Sequence, residues 1–125
     1  MAQLVSAALE LMIRERLPSM EQIDIVLLLR ADPERSWTAT DVARTLGTPQ
    51  ESTAMRLFLL ASKGMVLFGG SGIPSYRYAG DGENPELLDE LVRIRTGRPE
   101  ALIGIADGAV PDPVRSFADA FKLKK

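Results

Sequence analysis

Cysteine and histidine are both missing from the 125-residue sequence. Without them the chain has no disulfide framework, no cysteine nucleophile, no imidazole base and few of the ligands that zinc sites use. We therefore expect no metal site, no cofactor and no enzymatic activity of the common kinds. A secretory leader, with a charged start, an apolar stretch and a small-residue cleavage site, is not evident either, which favours a cytoplasmic protein.

Long hydrophobic stretches are missing too. Apolar runs extend over at most five residues, as at 25–29, whereas a membrane-spanning helix needs about 20 residues. The composition, with 46% hydrophobic and 26% charged residues, is typical of a folded soluble domain. The length of 125 residues favours one cooperative core with peripheral helices over two independent domains.

A strong excess of charge of either sign is also absent. The chain carries 15 basic and 17 acidic residues, for a net charge of −2, which argues against a basic coat for general nucleic-acid binding. Of the three parts 1–29, 30–80 and 81–125, only residues 30–80 are net positive, with six basic and four acidic side chains. Any contact with nucleic acid is therefore expected in the middle of the chain.

Two helices are predicted at the start of the chain by apolar residues that recur at three- and four-residue steps. Residues 2–16 form an accessory helix, which Pro18 ends. Ser19 and Gln22 have the spacing of a capping box and begin a second helix, which extends through Arg30. The first 18 residues are therefore an accessory segment.

A compact helix follows a short extended piece around Trp37. Thr38 or Thr40 is its predicted N-cap, and Gly47 ends it. Trp37, the only tryptophan, is predicted to pack at the edge of the core.

The next helix is predicted from the run 48–51, Thr-Pro-Gln-Glu. Its threonine is the expected N-cap, its proline occupies the first helical position and its glutamate the capping-box position. This helix runs to about Lys63. Two strands at 65–68 and 75–79, joined by a glycine-rich loop, then form a hairpin. That loop lacks the ending of a phosphate-binding loop and precedes a strand, so we interpret it as a flexible turn.

The last third of the chain is predicted to be helical. Apolar spacing indicates helices over 86–96, 100–106 and 114–121, with breaks at the intervening prolines. The acidic residues after position 80 do not have the spacing of a calcium-binding loop. We therefore interpret them as solvated charges at the start of a helix.

The order of elements over residues 20–79 is that of a winged helix-turn-helix domain. Residues 37–49 resemble the turn region of bacterial winged-helix regulators of the MarR type, and residues 57–66 resemble the end of their recognition helix and their first wing strand. We therefore expect a mainly α fold with a small β-hairpin wing. Its parts are an accessory helix at 1–18, the winged helix-turn-helix domain at 19–80 and a helical extension at 81–125.

This resemblance implies a transcription regulator that binds double-stranded DNA. The helix after Pro49 would lie in the major groove, and the wing would contact phosphate or the minor groove. The side chains expected to face DNA are Gln50, Ser52, Thr53, Arg56, Ser71 and Arg77.

An apolar face leaves a second function open. With Leu57 as the inward pole of the helix, Met55 and Leu59 point outward, where a DNA reader usually carries Arg, Lys, Asn or Gln. The alternative is a protein–protein interaction module with weak or no DNA binding. A homodimer would also bury the apolar stripes of the flanking helices. The residues expected at a dimer or partner contact are Met55, Leu59, Leu9, Met12, Leu88 and Leu91.

Overall fold

Six helices and a two-stranded antiparallel sheet make up residues 5–106, the part of the chain that the computed structural model describes. This architecture confirms the predicted fold class of a mainly α chain with a hairpin wing. The predicted helix at 114–121 lies outside the described residues. The elements are α1 Ala7–Arg16, α2 Met20–Ala31, α3 Ala39–Leu46, α4 Gln50–Ser62, β1 Val66–Gly69, β2 Ser75–Tyr78, α5 Pro85–Gly97 and α6 Glu100–Ala106.

Side-chain caps fix the ends of the central helices, as the sequence predicted. The Ser19 hydroxyl accepts a hydrogen bond from the Gln22 amide at 3.1 Å. Thr38, not Thr40, caps α3, and it forms a reciprocal capping box with Asp41. Gly47 ends α3 in the left-handed region, at a φ of 72°, where a side chain would be strained.

The start of α4 differs from the prediction. Pro49 is the N-cap and no side chain caps the helix, so Thr48 does not have the role expected of it. Its hydroxyl lies 2.6 Å from the Thr53 hydroxyl. Its amide donates to the Ala43 carbonyl at 3.0 Å and helps to end α3. Thr48 therefore belongs to the turn between the two helices, and the helical backbone begins at Gln50.

The hairpin packs one face on the core. Val66 pairs with Tyr78 and Leu67 with Arg77, and the two tyrosines of β2 are buried while Arg77 is exposed. Trp37 extends this sheet through two backbone hydrogen bonds of 2.7 Å to Tyr76. Trp37 itself is buried, which confirms its predicted place in the core.

The flanking helices belong to the same core as the central ones. One buried cluster includes Val5 in the first described turn and Ala106 at the end of α6. α1 packs on both α5 and α6, and α6 also packs on α2. Four residues of these apolar stripes are buried within their own protomer: Leu9, Met12, Leu88 and Leu91. The prediction that these four residues form a dimer or partner contact is therefore wrong.

Polar contacts reinforce this packing. The Ser6 hydroxyl, which caps α1, donates to Glu90 at 2.7 Å. Arg95 Nε on α5 lies 2.6 Å from Asp24 on α2, and the Asp24 carboxylate raises the pKa of Arg95. These contacts connect α5 to both α1 and α2.

Candidate nucleic-acid interface

α4 is the helix that the fold presents beside the wing. It packs on α2, α3 and β1, and its buried residues are Thr53, Arg56, Leu57 and Leu60. When α4 is projected at 100° per residue, the side opposite these four buried residues carries Glu51, Met55, Phe58 and Ser62. All four of these residues are exposed. We call this set the outer face of α4.

Two of the residues expected to face DNA point inward instead. Thr53 is fully buried, with its hydroxyl 2.8 Å from the Pro49 carbonyl. Arg56 is 6% exposed, and its Nε donates to Glu21 at 2.8 Å while Nη1 donates to Gln22 at 3.2 Å. The prediction that these two side chains face outward is wrong, because α2 and the turn before α4 supply polar partners that offset their burial.

The other expected DNA-facing residues lie at or near the surface. Gln50 is exposed at the first turn of α4, and Ser71 and Arg77 are exposed on the wing. Ser52 is half-buried, and its hydroxyl donates to Glu21 at 3.2 Å. A cleft of about 190 Å³ lies between the start of α4 and the wing, lined by Gln50 and Ile73 among others. The fold therefore brings Gln50 close to the wing, and the DNA contacts of these residues remain a prediction.

The apolar side chains of α4 are displaced from the predicted face. Met55 is 45% exposed, as expected, but Leu59 is half-buried, and Phe58 is the most exposed apolar residue of the helix at 67%. At 100° per residue, the centre of the buried side of α4 lies roughly 50° around the helix axis from Leu57, in the direction of Arg56. Sequence reasoning missed Phe58 because a buried arginine was not considered. It also missed the exposed apolar residues of the wing, Leu67, Phe68 and Ile73.

The tip of the wing depends on a glycine. Gly70 has a φ of 95°, and a Cβ at this position would lie 2.7 Å from the Ile73 carbonyl oxygen. A side chain would therefore strain the backbone and push the loop open.

Gly70→Ala is expected to lower the free energy of unfolding by about 1–3 kcal/mol. Gly104→Ala is the matched control, because nothing lies within 4 Å of its added Cβ and alanine is favoured in a helix such as α6. Chemical denaturation of both variants checks this. If Gly70→Ala were as stable as the native chain, the tight wing turn would be refuted.

Cations border the interface without lying on the outer face of α4. Lys63 is exposed where α4 ends, Arg44 is exposed on α3, and Arg77 is exposed on the wing. Arg35 stacks over Trp37, with its guanidinium carbon 3.6 Å from the ring centroid. The two charged residues within α4 are Glu51, which is exposed, and Arg56, which is buried.

Comparison with solved structures places this arrangement in a known fold. The MepR F27L mutant of S. aureus, bound to an oligodeoxyribonucleotide, has 14% identity and a TM-score of 0.55, over 94% of this chain and 83% of that chain. YusO of Bacillus subtilis has 9% identity and a TM-score of 0.54, over 93% and 79%. A MarR family protein from Bacillus stearothermophilus has 16% identity and a TM-score of 0.50, over 94% and 82%.

The fold is that of the MarR-type winged-helix regulators. At 9–16% identity the likeness shows the fold, and it confirms the resemblance noted in the sequence. No protein-family model and no curated protein matches the chain in sequence. Among residues 5–106, no helix has the length and apolar character needed to cross a membrane.

A second cavity in this MarR-type fold lies away from α4. An open groove of about 770 Å³ runs between α2, the end of β2 and α5. Arg30 lies in it and bonds Asp81 through Nε at 2.9 Å and Asp89 through Nη2 at 2.8 Å. The Arg30 guanidinium lowers the pKa of Asp81. The pKa of Tyr78 is raised mainly by burial and, to a smaller extent, by its hydrogen bond to Asp81. The stabilisation from the lowered Asp81 pKa is present at neutral pH and is lost as the pH falls through that pKa.

Proposed function

We propose that this protein is a cytoplasmic transcription regulator that binds double-stranded DNA through α4 and the wing. The observation that supports the proposal is the structural match to MepR, which covers 94% of this chain. The solved MepR structure contains an oligodeoxyribonucleotide. In this arrangement α4 enters the major groove and the wing approaches the phosphate backbone or the minor groove. No enzymatic role is proposed.

The contacts available for this function are few. Gln50 can donate or accept at a base edge, while Arg77, Lys63 and Arg44 are exposed cations that can reach phosphates. The first amides of α4 have no side-chain cap and can donate to a phosphate as part of the same surface. Because so few cations take part, we propose that a homodimer doubles the contacts over two half-sites. The exposed Ile103 of α6 is an apolar group available to such a dimer.

A salt series with purified protein and mixed genomic duplex fragments tests the function, with the mass in solution measured in parallel. Binding should weaken steeply with salt, with a slope of about 0.9 per phosphate contact. Arg77→Ala should weaken binding to all sequences and, because a dimer loses two such contacts, reduce the slope by about two units. Arg16→Ala, a change of the same kind at an exposed site on α1, should leave the slope unchanged.

A second candidate function is protein–protein interaction through the apolar side chains of α4 and the wing. The observation favouring it is that five of the eight large exposed hydrophobic residues of the described chain lie between positions 55 and 73. Clusters of this kind mark interaction sites. This candidate predicts no DNA binding by the well-folded protein even at low salt, so the same salt series separates the two functions.

A further inference from the structure

The outer face of α4 offers an unusual set of groups to a major groove. Met55 and Phe58 lie at its centre, with exposures of 45% and 67%. Glu51 precedes them and Ser62 follows them on the same line. The helix has one cation, Arg56, which is turned inward to Glu21 at 2.8 Å. A helix with this face cannot use the arginine–guanine pairing that is the commonest specific contact.

We propose that Met55 and Phe58 read the C5-methyl groups of thymine. This inference rests on the proposed DNA binding and names the bases that the same surface selects. Thymine is the base that presents a methyl group in the major groove, and apolar side chains contact it there. The exposed carboxylate of Glu51 can accept a hydrogen bond from the amino group of cytosine but repels the acceptor atoms of guanine. On the strand that α4 contacts, the preferred half-site is therefore rich in thymine and poor in guanine.

The spacing of the two apolar residues suits neighbouring base pairs. Met55 and Phe58 are three residues apart on one face of α4, which separates them by about 4.5 Å along the helix axis. Successive base pairs of B-DNA are about 3.4 Å apart. Two thymine methyl groups on adjacent base pairs therefore lie within reach of the two side chains.

The surroundings of the outer face favour DNA as its occupant. Lys63 is exposed at the end of α4, and Arg77 is exposed on the outer face of the hairpin. The amides at the start of α4 lack a side-chain cap. An apolar centre bordered by cations and amide donors matches a groove floor bordered by two phosphate backbones.

Replacing thymine by deoxyuridine removes the methyl group alone, so it tests this reading directly. The same mixed genomic pool is amplified once with dTTP and once with dUTP, and the binding of native protein to each pool is compared. Each lost methyl contact should weaken binding by about 4-fold, and the two contacts within one half-site by about 15-fold, from the free energy of burying one carbon group. Equal binding to both pools would overturn the inference while leaving the DNA-binding function in place.

Variants of α4 test whether Met55 and Phe58 cause the difference in binding between the two pools. Phe58→Ala and Met55→Ala should weaken binding to the thymine pool and leave binding to the deoxyuridine pool nearly unchanged. Both side chains are substantially exposed, so the fold should be retained. Leu11→Ala, at an exposed apolar site on α1, should keep the full discrimination. If both α4 variants discriminated as well as the native chain, the methyl reading by α4 would be wrong. A native chain that binds neither pool would instead refute the proposed function.

Discussion

Glu21→Ala is expected to lower the free energy of unfolding by about 3 kcal/mol. The substitution leaves the Arg56 guanidinium, whose side chain is 7% exposed, without the carboxylate that lies 2.8 Å from its Nε. A buried guanidinium that loses the carboxylate bonded to its Nε retains the part of its desolvation cost that this carboxylate offset. The side-chain oxygen of Gln22, at 3.2 Å, is a neutral acceptor and does not replace the lost charge. Urea denaturation with linear extrapolation measures the effect.

Arg56→Met is the matched control for this experiment. It removes the buried charge and fills much of the same volume with an apolar side chain, which is often tolerated. Because Glu21 is only 16% exposed, the control also carries Glu21→Gln, so that no carboxylate is left buried without its cation. We expect a loss below about 1.5 kcal/mol. Equal losses in the two variants would show that the pair is not a desolvated ion pair.

The same ion pair accounts for the properties of the candidate interface. Arg56 belongs to α4, whereas Glu21 and Gln22 belong to α2. By turning the only basic side chain of α4 inward, the pair leaves Met55 and Phe58 on the outer face. The pair also limits rotation of α4 about its axis, because Arg56 and Ser52 both bond Glu21. An Arg56→Ala variant would therefore report on folding as well as on DNA binding.

Most elements of the fold could be predicted because their signals are local. Ser19, Thr38 and Gly47 act on backbone groups within four residues, and each begins or ends its helix as expected. The alternation of Tyr76 and Tyr78 also predicted which face of the wing strand is buried. The Thr48 cap failed because its hydroxyl bonds Thr53, a contact that competes with capping. Such competition is decided by the turn geometry, which the residue types alone do not specify.

The orientation of α4 could not be predicted from its own sequence. Thr and Arg are normally exposed, so their polarity alone assigned Thr53 and Arg56 to the DNA-facing surface. Their burial depends on partners elsewhere, since Glu21 is 35 residues from Arg56 in the chain. A carboxylate in the first turn of α2 does not by itself indicate a buried arginine, because acidic residues are favoured at the start of any helix.

Periodicity also identified the stripes of α1 and α5 without identifying what covers them. Leu9 and Leu88 were correctly predicted to be buried, but the structure buries them within the protomer and not in a dimer. Apolar spacing indicates that a helix face is buried, but it does not distinguish burial within one chain from burial in a dimer. Stability measurements distinguish them, since burial within one chain contributes to folding at any protein concentration.

Leu91→Ala is expected to lower the free energy of unfolding by about 2–5 kcal/mol, because it opens a cavity at a fully buried position of α5. α5 packs on α1 and α6 in the common core, so the whole chain should unfold in one transition at a lower urea concentration. Leu11→Ala removes the same atoms at a position that is 56% exposed and should change stability by less than about 0.5 kcal/mol. The difference in midpoint between Leu91→Ala and the native chain should be the same at every protein concentration. A Leu91→Ala variant that kept its stability but halved its mass in solution would instead place Leu91 in a contact between two copies.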